Sequence, residues 1–342
     1  MVCGLSAMFD FRSLKKEALR KPSVVDHDSF FLCRPGRNYK VNAAVSLIKA
    51  RTPVLYDVGI GRDMISMINM ALNRMEKRPP DVGYAIISHV HFDHCLNLIH
   101  FNRAFPNCKV ILHENAFKSL MCKINQFPTE FDKNTSRIAT KFWKRIIQAA
   151  YLKKRKVYVY KEDSIFELPD LKLKLIYTPG HSLGHTCLLD CTNKVLFLGD
   201  HLPFTPWLDI SENSIDNMIY SLKKLLALST NQVQYSVRNH GNLKDGWKEV
   251  YPWEEERNRF KSFLMLIQES LNKIPEILKN KPLNVHQIAN LILKNKDYRN
   301  YNPIMNLFFM PPNLSWIYCY LLKLTKEKKI QYLRASKQWI TV

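Results

Sequence analysis

Short apolar segments recur through residues 29–237 and predict the strands of a sheet-rich fold. Residues 171–178 alternate leucine with lysine, which is typical of a strand with one buried face. Residues 192–193 have the composition of a tight turn and join two further apolar segments into a hairpin. The predicted strands are 29–33, 41–47, 53–57, 84–88, 109–113, 157–160, 165–168, 171–178, 185–190, 194–199 and 232–237.

Helical spacing separates some of these strands. Ile65, Ile68, Leu72 and Met75 recur on one helical face, and residues 215–226 form a second amphipathic segment. Together the strands and helices predict an α/β sandwich of mostly antiparallel strands with the helices outside.

After Pro252 the pattern changes to long helical segments, with no strand signal until the end of the chain. The predicted elements are a helix over 253–273 that ends before Pro275, a helix over 285–292 capped by Asn284, a helix over 314–324 preceded by Asn313, and a hairpin of 329–333 with 338–341. Three helices followed by a hairpin are the order of a winged helix. We therefore expect two domains, residues 1–252 and a helical, winged-helix-like domain of residues 253–342.

The chain is strongly basic. It carries 51 Lys and Arg against 30 Asp and Glu, which gives a formal charge of +21. A charge of that size and sign favours polyanions such as nucleic acid or an acidic membrane surface. A lysine-rich surface also occurs without such a partner, so the charge alone leaves both interpretations open.

Hydropathy and cysteine usage favour a folded cytoplasmic protein. No apolar run approaches the roughly 18 to 20 residues that span a bilayer, so we expect no membrane span. Residues 1–21 are interrupted by Asp10 and Arg12, so we expect no secretory signal there. The eight cysteines are scattered without a CxxC pair, which favours a reducing compartment.

The strongest chemical signal is the segment Ser88-His89-Val90-His91-Phe92-Asp93-His94, directly after a predicted strand. It places three imidazoles and a carboxylate within six positions. A loop at a strand end can turn successive side chains inward, and imidazole with carboxylate suits zinc or a similar transition metal. Incidental clustering of surface histidines is a poor alternative, because the whole chain has only 11 histidines in 342 residues.

This HxHxDH segment resembles the signature of the metallo-β-lactamase superfamily, and further motifs of that family follow in order across residues 28–250. Asp57 lies in a segment similar to the family's first acidic motif. His181 and His185 lie in Thr178-Pro179-Gly180-His181-Ser182-Leu183-Gly184-His185, Asp200 follows Gly199 at a strand end, and His240 lies between Asn239 and Gly241. The resemblance implies the αββα sandwich fold for a hydrolase domain within residues 1–252.

The resemblance also implies a ligand set for two zinc ions, although iron or manganese suits similar ligands. His89, His91 and His181 would hold one metal, Asp93, His94 and His240 the other, and Asp200 would bridge them. Two such metals can share a water and convert it to a bridging hydroxide near neutral pH, with Asp93 and Asp200 as catalytic carboxylates. Asp57 would orient the metal loop, and His185 would support the ligands from behind.

The substrate is a separate question, because members of the superfamily cleave lactams, lactones, glutathione thioesters or phosphodiesters. True β-lactamases are commonly secreted and lack the bridging aspartate, so we do not expect antibiotic hydrolysis. Gly199-Asp200-His201-Leu202-Pro203 and the helical tail resemble the lactamase-beta-2-like group, which includes an endoribonuclease specific for single strands. Relative to that group, the chain inserts residues 125–156.

The insertion ends in the basic run Lys153, Lys154, Arg155 and Lys156, with the aromatic residues Phe142, Trp143 and Tyr151 before it. Aromatic rings stack on bases and basic groups neutralise phosphates, so we predict cleavage of single-stranded RNA. The same residues also fit a solvated helix with an apolar face. Two alternatives remain: a thioester or lactone hydrolase similar to glyoxalase II, and a non-catalytic winged-helix nucleic-acid binder. Seven intact ligands argue against the last.

Overall fold

A computed structural model of the protein describes residues 22–35, 42–121, 144–152, 157–201, 211–242, 248–293 and 312–342. The basic run of residues 153–156, predicted to bind RNA, lies outside these ranges, as does most of the insertion.

In the described chain the first sheet contains seven strands that follow one another in chain order. They are β1 (Ser23–Asp26), β2 (Phe30–Arg34), β3 (Val45–Ile48), β4 (Val54–Tyr56), β5 (Tyr84–Ile86), β6 (Lys109–His113) and β7 (Val157–Tyr160). Strands β1 to β4 pair antiparallel. Strands β4 to β7 pair parallel, so the carboxyl ends of β4 and β5 meet at one edge of the sheet.

Helices cover the outer face of this sheet. They include α1 (Arg62–Arg74), α2 (Phe92–Cys95), α3 (Leu98–Ala104) and α4 (Glu114–Leu120). Their apolar positions bury against alternate residues of the strands; Met64 and Ile68 of α1, for example, share one apolar core with Val45 and Leu55. Burial of each such side chain contributes about 1.5–3 kcal/mol.

The second sheet of the described chain has six strands in the order β13-β12-β11-β10-β9-β8. They are β8 (Ser164–Leu168), β9 (Leu171–Tyr177), β10 (Thr186–Asp190), β11 (Val195–Phe197), β12 (Tyr235–Asn242) and β13 (Lys248–Pro252). Its inner face presents Leu171, Leu173 and Leu175 to the first sheet, as the alternation with lysine predicts. Most strand pairs of the two sheets are antiparallel, and α5 (Ser214–Leu226) packs on the outer face of the second sheet. The predicted α/β sandwich is confirmed.

The C-terminal part is helical, with α6 (Trp253–Leu278), α7 (Val285–Leu293) and α8 (Pro312–Lys326) before the hairpin of β14 (Ile330–Leu333) and β15 (Gln338–Thr341). Its apolar side chains and those on the outer face of the second sheet form one continuous core. Trp253 begins α6 directly after β13 and donates its indole N–H to the carbonyl of Leu228 at 3.2 Å. At the junction between the sheet and the tail, Tyr251 and Trp253 are buried on either side of the exposed Pro252.

Two predictions for the tail need correction, and one is confirmed. Helix α6 does not end before Pro275 but continues to Leu278, because Ile274 and Leu278 extend its buried face. Helix α8 begins at Pro312, so Asn313 lies inside it, and proline suits a first helical turn. Asn284 caps α7 as predicted: its Oδ1 accepts from the N–H of Gln287 at 3.0 Å, while Gln287 Oε1 accepts from the N–H of Asn284 at 2.9 Å.

None of the described helices has the length and apolarity needed to cross a membrane.

Candidate metal centre

The HxHxDH segment forms the loop between β5 and α3. His89 and His91 lie in the irregular part of this loop, and Asp93 and His94 lie in the single turn of α2. The N–H groups of His94 and Cys95 donate to the carbonyl of His91, at 3.1 and 3.2 Å, which fixes the loop directly before the turn. All four side chains are buried.

Three imidazole nitrogens converge in a first cluster. His89 Nε2 lies 2.9 Å from His91 Nδ1, and His181 Nε2 lies 3.1 Å from His89 Nε2 and 3.0 Å from His91 Nδ1. The ligand atoms of a zinc tetrahedron with bonds of 2.0–2.1 Å are roughly 3.3 Å apart. The triangle of nitrogens therefore has the size and the donor chemistry of one face of a zinc site.

Asp93, His94 and His240 form a second cluster. His240 Nε2 lies 3.1 Å from Asp93 Oδ2, and His94 Nε2 lies 3.6 Å from the same oxygen. His240 comes from β12, at the other sheet, and its side chain is 22% exposed, whereas that of His94 is fully buried. The open side of the centre therefore lies at His240.

Asp200 lies between the two clusters. Its Oδ2 atom is 3.3 Å from His94 Nε2, 3.3 Å from His240 Nε2 and 3.7 Å from His181 Nε2. Its other oxygen, Oδ1, is buried and has no hydrogen-bond partner among the described residues. An unsatisfied buried carboxylate oxygen is costly, and a metal ion is a partner that would satisfy it. All seven predicted ligands are thus brought together around one carboxylate, in overlapping groups that could hold metal ions.

The protonation of the imidazoles divides them into two kinds. Burial and the neighbouring imidazoles hold the pKa of His89 and His91 well below the usual range, so both are neutral. Burial opposes the charge of His94 and His240, but Asp200 and Asp93 outweigh it, raising the pKa of His94 well above its usual range and that of His240 to about 9. The second cluster therefore holds protons that a metal ion must displace.

The carboxylate of Asp57 fixes the metal loop through hydrogen bonds. It follows β4 with φ of 64°, a left-handed conformation that aspartate tolerates. Its Oδ1 accepts the N–H of Ser88 at 2.7 Å, and its Oδ2 lies 2.7 Å from the hydroxyl of Ser88 and 2.7 Å from His94 Nδ1. The amide of Asn239 donates to the same Oδ2 at 2.5 Å. This network leaves His94 with Nε2 facing the centre.

The imidazole of His185 accepts a hydrogen bond from the backbone of Asp200. Its Nδ1 lies 2.9 Å from the hydroxyl of Thr178, and its Nε2 accepts the N–H of Asp200 at 3.2 Å. Gly199 makes this approach possible: a Cβ there would lie 2.7 Å from His185 Nε2, and its φ of 56° favours glycine.

Three residues that support the centre were not identified from the sequence. Ser88 and Asn239 are neighbours of predicted ligands, but a single serine or asparagine carries no metal signal of its own. Lys144 lies in the insertion; it is buried, donates to the hydroxyl of Ser119 at 2.9 Å and is close enough for its charge to lower the pKa of His91. No periodicity distinguishes this lysine from the many exposed lysines of the chain.

The chain is similar to known proteins of one family. The family model described as the metallo-beta-lactamase superfamily matches residues 40–233, more than half of the chain. An acyl-coenzyme A thioesterase, MBLAC2, from Bos taurus is 30% identical over 149 residues, which cover 43% of this chain and 48% of that protein. A hydroxyacylglutathione hydrolase from Pelagibacter ubique is 25% identical over 150 residues, which cover 43% of this chain and 60% of that protein. The chain thus spans about half the length of these curated relatives.

Solved structures show the same fold. A beta-lactamase domain protein from Burkholderia ambifaria superposes with a TM-score of 0.71 at 13% identity, covering 94% of both chains. A metallo-beta-lactamase family protein from Thermus thermophilus superposes with a TM-score of 0.63 at 15% identity, covering 94% of this chain and 97% of that one. The protein belongs to the metallo-beta-lactamase superfamily of metal-dependent hydrolases.

Proposed function

We propose that the protein hydrolyses thioesters at a centre of two metal ions, zinc by preference. The observation that carries this proposal is the position of Asp200, whose Oδ2 lies within 3.3–3.7 Å of imidazole nitrogens from both clusters. A carboxylate in that position can bridge two ions. In the proposed assignment His89, His91 and His181 would hold one metal, Asp93, His94 and His240 would hold the other, and Asp200 would contribute to both sites.

The substrate class is taken from the relatives. MBLAC2 proteins from Bos taurus, Gallus gallus and Homo sapiens are named acyl-coenzyme A thioesterases, and the Pelagibacter relative is named a hydroxyacylglutathione hydrolase. Both names describe cleavage of an acyl–sulfur bond. This supports the thioester alternative of the sequence analysis over the ribonuclease prediction.

A bound metal pair would polarise the thioester carbonyl and lower the pKa of a water held beside it. The neutral imidazoles of His89 and His91 are ready to bind metal without losing a proton. Asp93 and Asp200 are the proposed catalytic carboxylates, with Asp93 accepting a proton from the attacking water. The water oxygen bonds to the acyl carbon, the carbon–sulfur bond breaks, and the sulfur leaves as a thiolate. Because a thiol has a pKa of about 8.5, this leaving group departs without a proton donor.

Cleavage of single-stranded RNA is the second candidate, and the formal charge of +21 favours it. The basic run Lys153 to Lys156 that motivates it lies outside the described residues. Each phosphate contact on a single strand adds roughly −0.7 to the logarithmic salt slope of binding. A thioesterase acting on a small substrate has a much shallower salt dependence, so salt titration separates the two candidates.

We also propose that residues 253–342 form a helical, winged-helix-like domain packed on a hydrolase domain of residues 1–252. The order of α6, α7, α8 and the β14–β15 hairpin supports this. So does an isolated antiparallel bridge between Leu283, before α7, and Trp339 of β15, which pairs one residue of the preceding segment with the hairpin.

One parallel assay tests the proposed activity. Zinc-loaded protein is incubated with an acyl-coenzyme A, S-lactoylglutathione, an acyl lactone and labelled single-stranded RNA, and thiol release is followed with a thiol reagent. We expect release of thiol from at least one thioester, loss of that activity after chelation and its return with zinc. Asp200→Asn is the matched variant and should be inactive at equal protein concentration. Cleavage of RNA or lactone by protein that leaves both thioesters intact would overturn the proposal.

A further inference from the structure

Three consecutive residues of β12 have three different partners around the metal centre. Arg238 contacts Glu256 of α6, Asn239 donates to Asp57, and His240 faces Asp93 and Asp200. A single stretch of backbone thus joins the C-terminal helical segment to the second cluster. Asn239 directly follows Arg238, and His240 directly follows Asn239. A contact that fixes the position of Arg238 therefore also restricts the positions of Asn239 and His240.

The strand is irregular at this point. Val237 pairs with Val250 and Asn242 with Lys248, so residues 238–241 of β12 face only Glu249 of β13. Such a bulge bends a strand and re-aims its side chains, and the ladder with the neighbouring strand does not fix the extra residues. Apart from the strand ladder, two backbone hydrogen bonds in the described chain hold Asn239: its N–H donates to the carbonyl of Gly199 at 3.3 Å, and its carbonyl accepts the N–H of Ala44 at 2.7 Å. Side-chain contacts add to these backbone bonds in holding this stretch of β12.

The anchor to α6 is a buried ion pair. Nη2 of Arg238 lies 2.7 Å from both carboxylate oxygens of Glu256, and the two side chains are only 6% and 0% exposed. The guanidinium groups of Arg238 and Arg259 both lie over the ring of Tyr251, 4.6 and 4.0 Å from its centroid. Arg259 also approaches Glu256, at 3.5 Å. Desolvation offsets much of the attraction within a buried ion pair, so its contribution to stability is small.

We infer that Arg238 and Glu256 are positioning residues for the second metal: through them, helix α6 holds the bulge of β12 so that His240 reaches Asp93 and Asp200. The C-terminal helical segment then helps to position the metal centre, although none of its described residues is among the proposed ligands. The inference rests on the proposed two-metal centre, and it predicts unequal effects on the two clusters. His89, His91 and His181 lie on other loops. Asn239 of β12 reaches His89 only indirectly, through Asp57 and Ser88, so we expect a smaller effect on the first cluster.

The test compares Glu256→Gln with Glu254→Gln in full-length protein. Both positions lie in the first turn of α6, but Glu254 is exposed and contacts only Arg257 among the described residues. Stepwise zinc titration against a competing chelator measures the two sites separately. We expect Glu256→Gln to weaken the second zinc at least about 10-fold, the size of effect typical of residues that orient ligands, with the first zinc within about 2-fold of wild type. Glu254→Gln should leave both unchanged.

A second variant guards against simple misfolding. Arg238→Met combined with Glu256→Leu removes both charges of the buried pair, while Arg259, which also approaches Glu256, keeps its ion pair with Glu255. We expect it to melt within a few degrees of wild type and still to bind the second zinc at least about 10-fold more weakly. If this double variant binds both zinc ions as wild type does, or loses both equally while folded, the positioning role is wrong.

Amide hydrogen exchange gives a readout that needs neither metal nor thioester. In metal-free protein we expect the amides of residues 238–242 to exchange at least about 10-fold faster in Glu256→Gln than in Glu254→Gln. Unchanged exchange would overturn the inference even if thioesters are hydrolysed. Faster exchange in a protein that hydrolyses no thioester would show that the ion pair holds β12 while the proposed substrate is wrong.

Discussion

Asp57 Oδ2 lies 2.7 Å from His94 Nδ1, and this contact fixes which nitrogen of the imidazole faces Asp200. The carboxylate is buried, which raises its pKa, while the contact with His94 and the hydrogen bonds from Ser88 oppose that effect. A ligand histidine that donates its second N–H to a carboxylate is a stronger and better oriented metal ligand. The second cluster therefore depends on a residue that does not face the metals.

Asp57→Asn should weaken metal binding without removing a ligand. The asparagine amide places a donor where Ser88, His94 and Asn239 all need an acceptor, so His94 loses its fixed orientation. We expect a loss of about 10- to 100-fold in affinity for the metal held by His94, measured by zinc titration against a chelator. Asp63→Asn, at an exposed position in the first turn of α1, is the matched control. Wild-type affinity in Asp57→Asn would show that this contact has no orienting role.

Asp200 and His240 should differ in how many metals they affect. Asp200 lies close to imidazoles of both clusters, whereas the contacts of His240 Nε2 are with Asp93 and Asp200. We therefore expect Asp200→Ala to reduce binding of both zinc ions and His240→Ala to reduce mainly one. Metal analysis of protein purified without chelator should give about two equivalents for wild type and about one for His240→Ala. Equal, negligible effects of the two changes would remove the bridging assignment.

The metal-free protein should lose stability as pH rises from about 6.5 to 9. Asp200 and Asp93 raise the pKa of His240 to about 9, above the ordinary histidine value of 6.5, so its charged form is stabilised by folding. That contribution is complete below pH 6.5 and is lost as pH rises through 9. The lowered pKa values of His89 and His91 act in the opposite sense, but only below about pH 6.5.

Denaturant unfolding at several pH values measures this effect. We expect the free energy of unfolding of metal-free wild type to fall by on the order of 2–3 kcal/mol between pH 6.5 and 9. His240→Gln should show a smaller fall. A stability that rises over this interval in metal-free wild type would contradict the protonated state assigned to His240.

Local signals explain how much of the fold was predictable. The strands of the sandwich were found because alternation and short apolar runs report burial directly, as at Leu171, Leu173 and Leu175. Strand β1, with a burial pattern that is only intermediate, and β13, with buried Glu249, gave no such signal and were missed. The prediction that α6 ends before Pro275 was wrong, because the cost of proline inside a helix, about 3 kcal/mol, is outweighed by the burial of Ile274 and Leu278.

The residues that converge at the centre could be found from the sequence, whereas the residues that support them could not. Histidine and aspartate in a family motif are rare and chemically specific, and the structure brings together all seven residues that were predicted as ligands. The pairing of Asn239 with Asp57 spans 182 positions of sequence, and that of Arg238 with Glu256 joins two segments that the sequence assigned to different domains. Contacts of this kind are created by the fold and have no local pattern.

Gly184→Ala should weaken metal binding by the first cluster, because the added methyl group clashes with a neighbouring helix. Gly184 lies between His181 and His185, and a Cβ there would lie 2.2 Å from the backbone nitrogen and 2.5 Å from Cα of Ala116. Since both atoms belong to the backbone of α4, they cannot move aside as a flexible side chain would, and the loop that carries His181 must shift instead. Overpacking of this kind costs about 1–3 kcal/mol. We expect a lower melting temperature and weaker binding of the zinc held by His89, His91 and His181.

Ser182→Ala is the control in the same loop, because the hydroxyl of Ser182 is buried without a hydrogen-bond partner in the described part of the chain. If Gly184→Ala melts and binds zinc as Ser182→Ala does, the close approach of this loop to α4 is not a constraint on the metal centre.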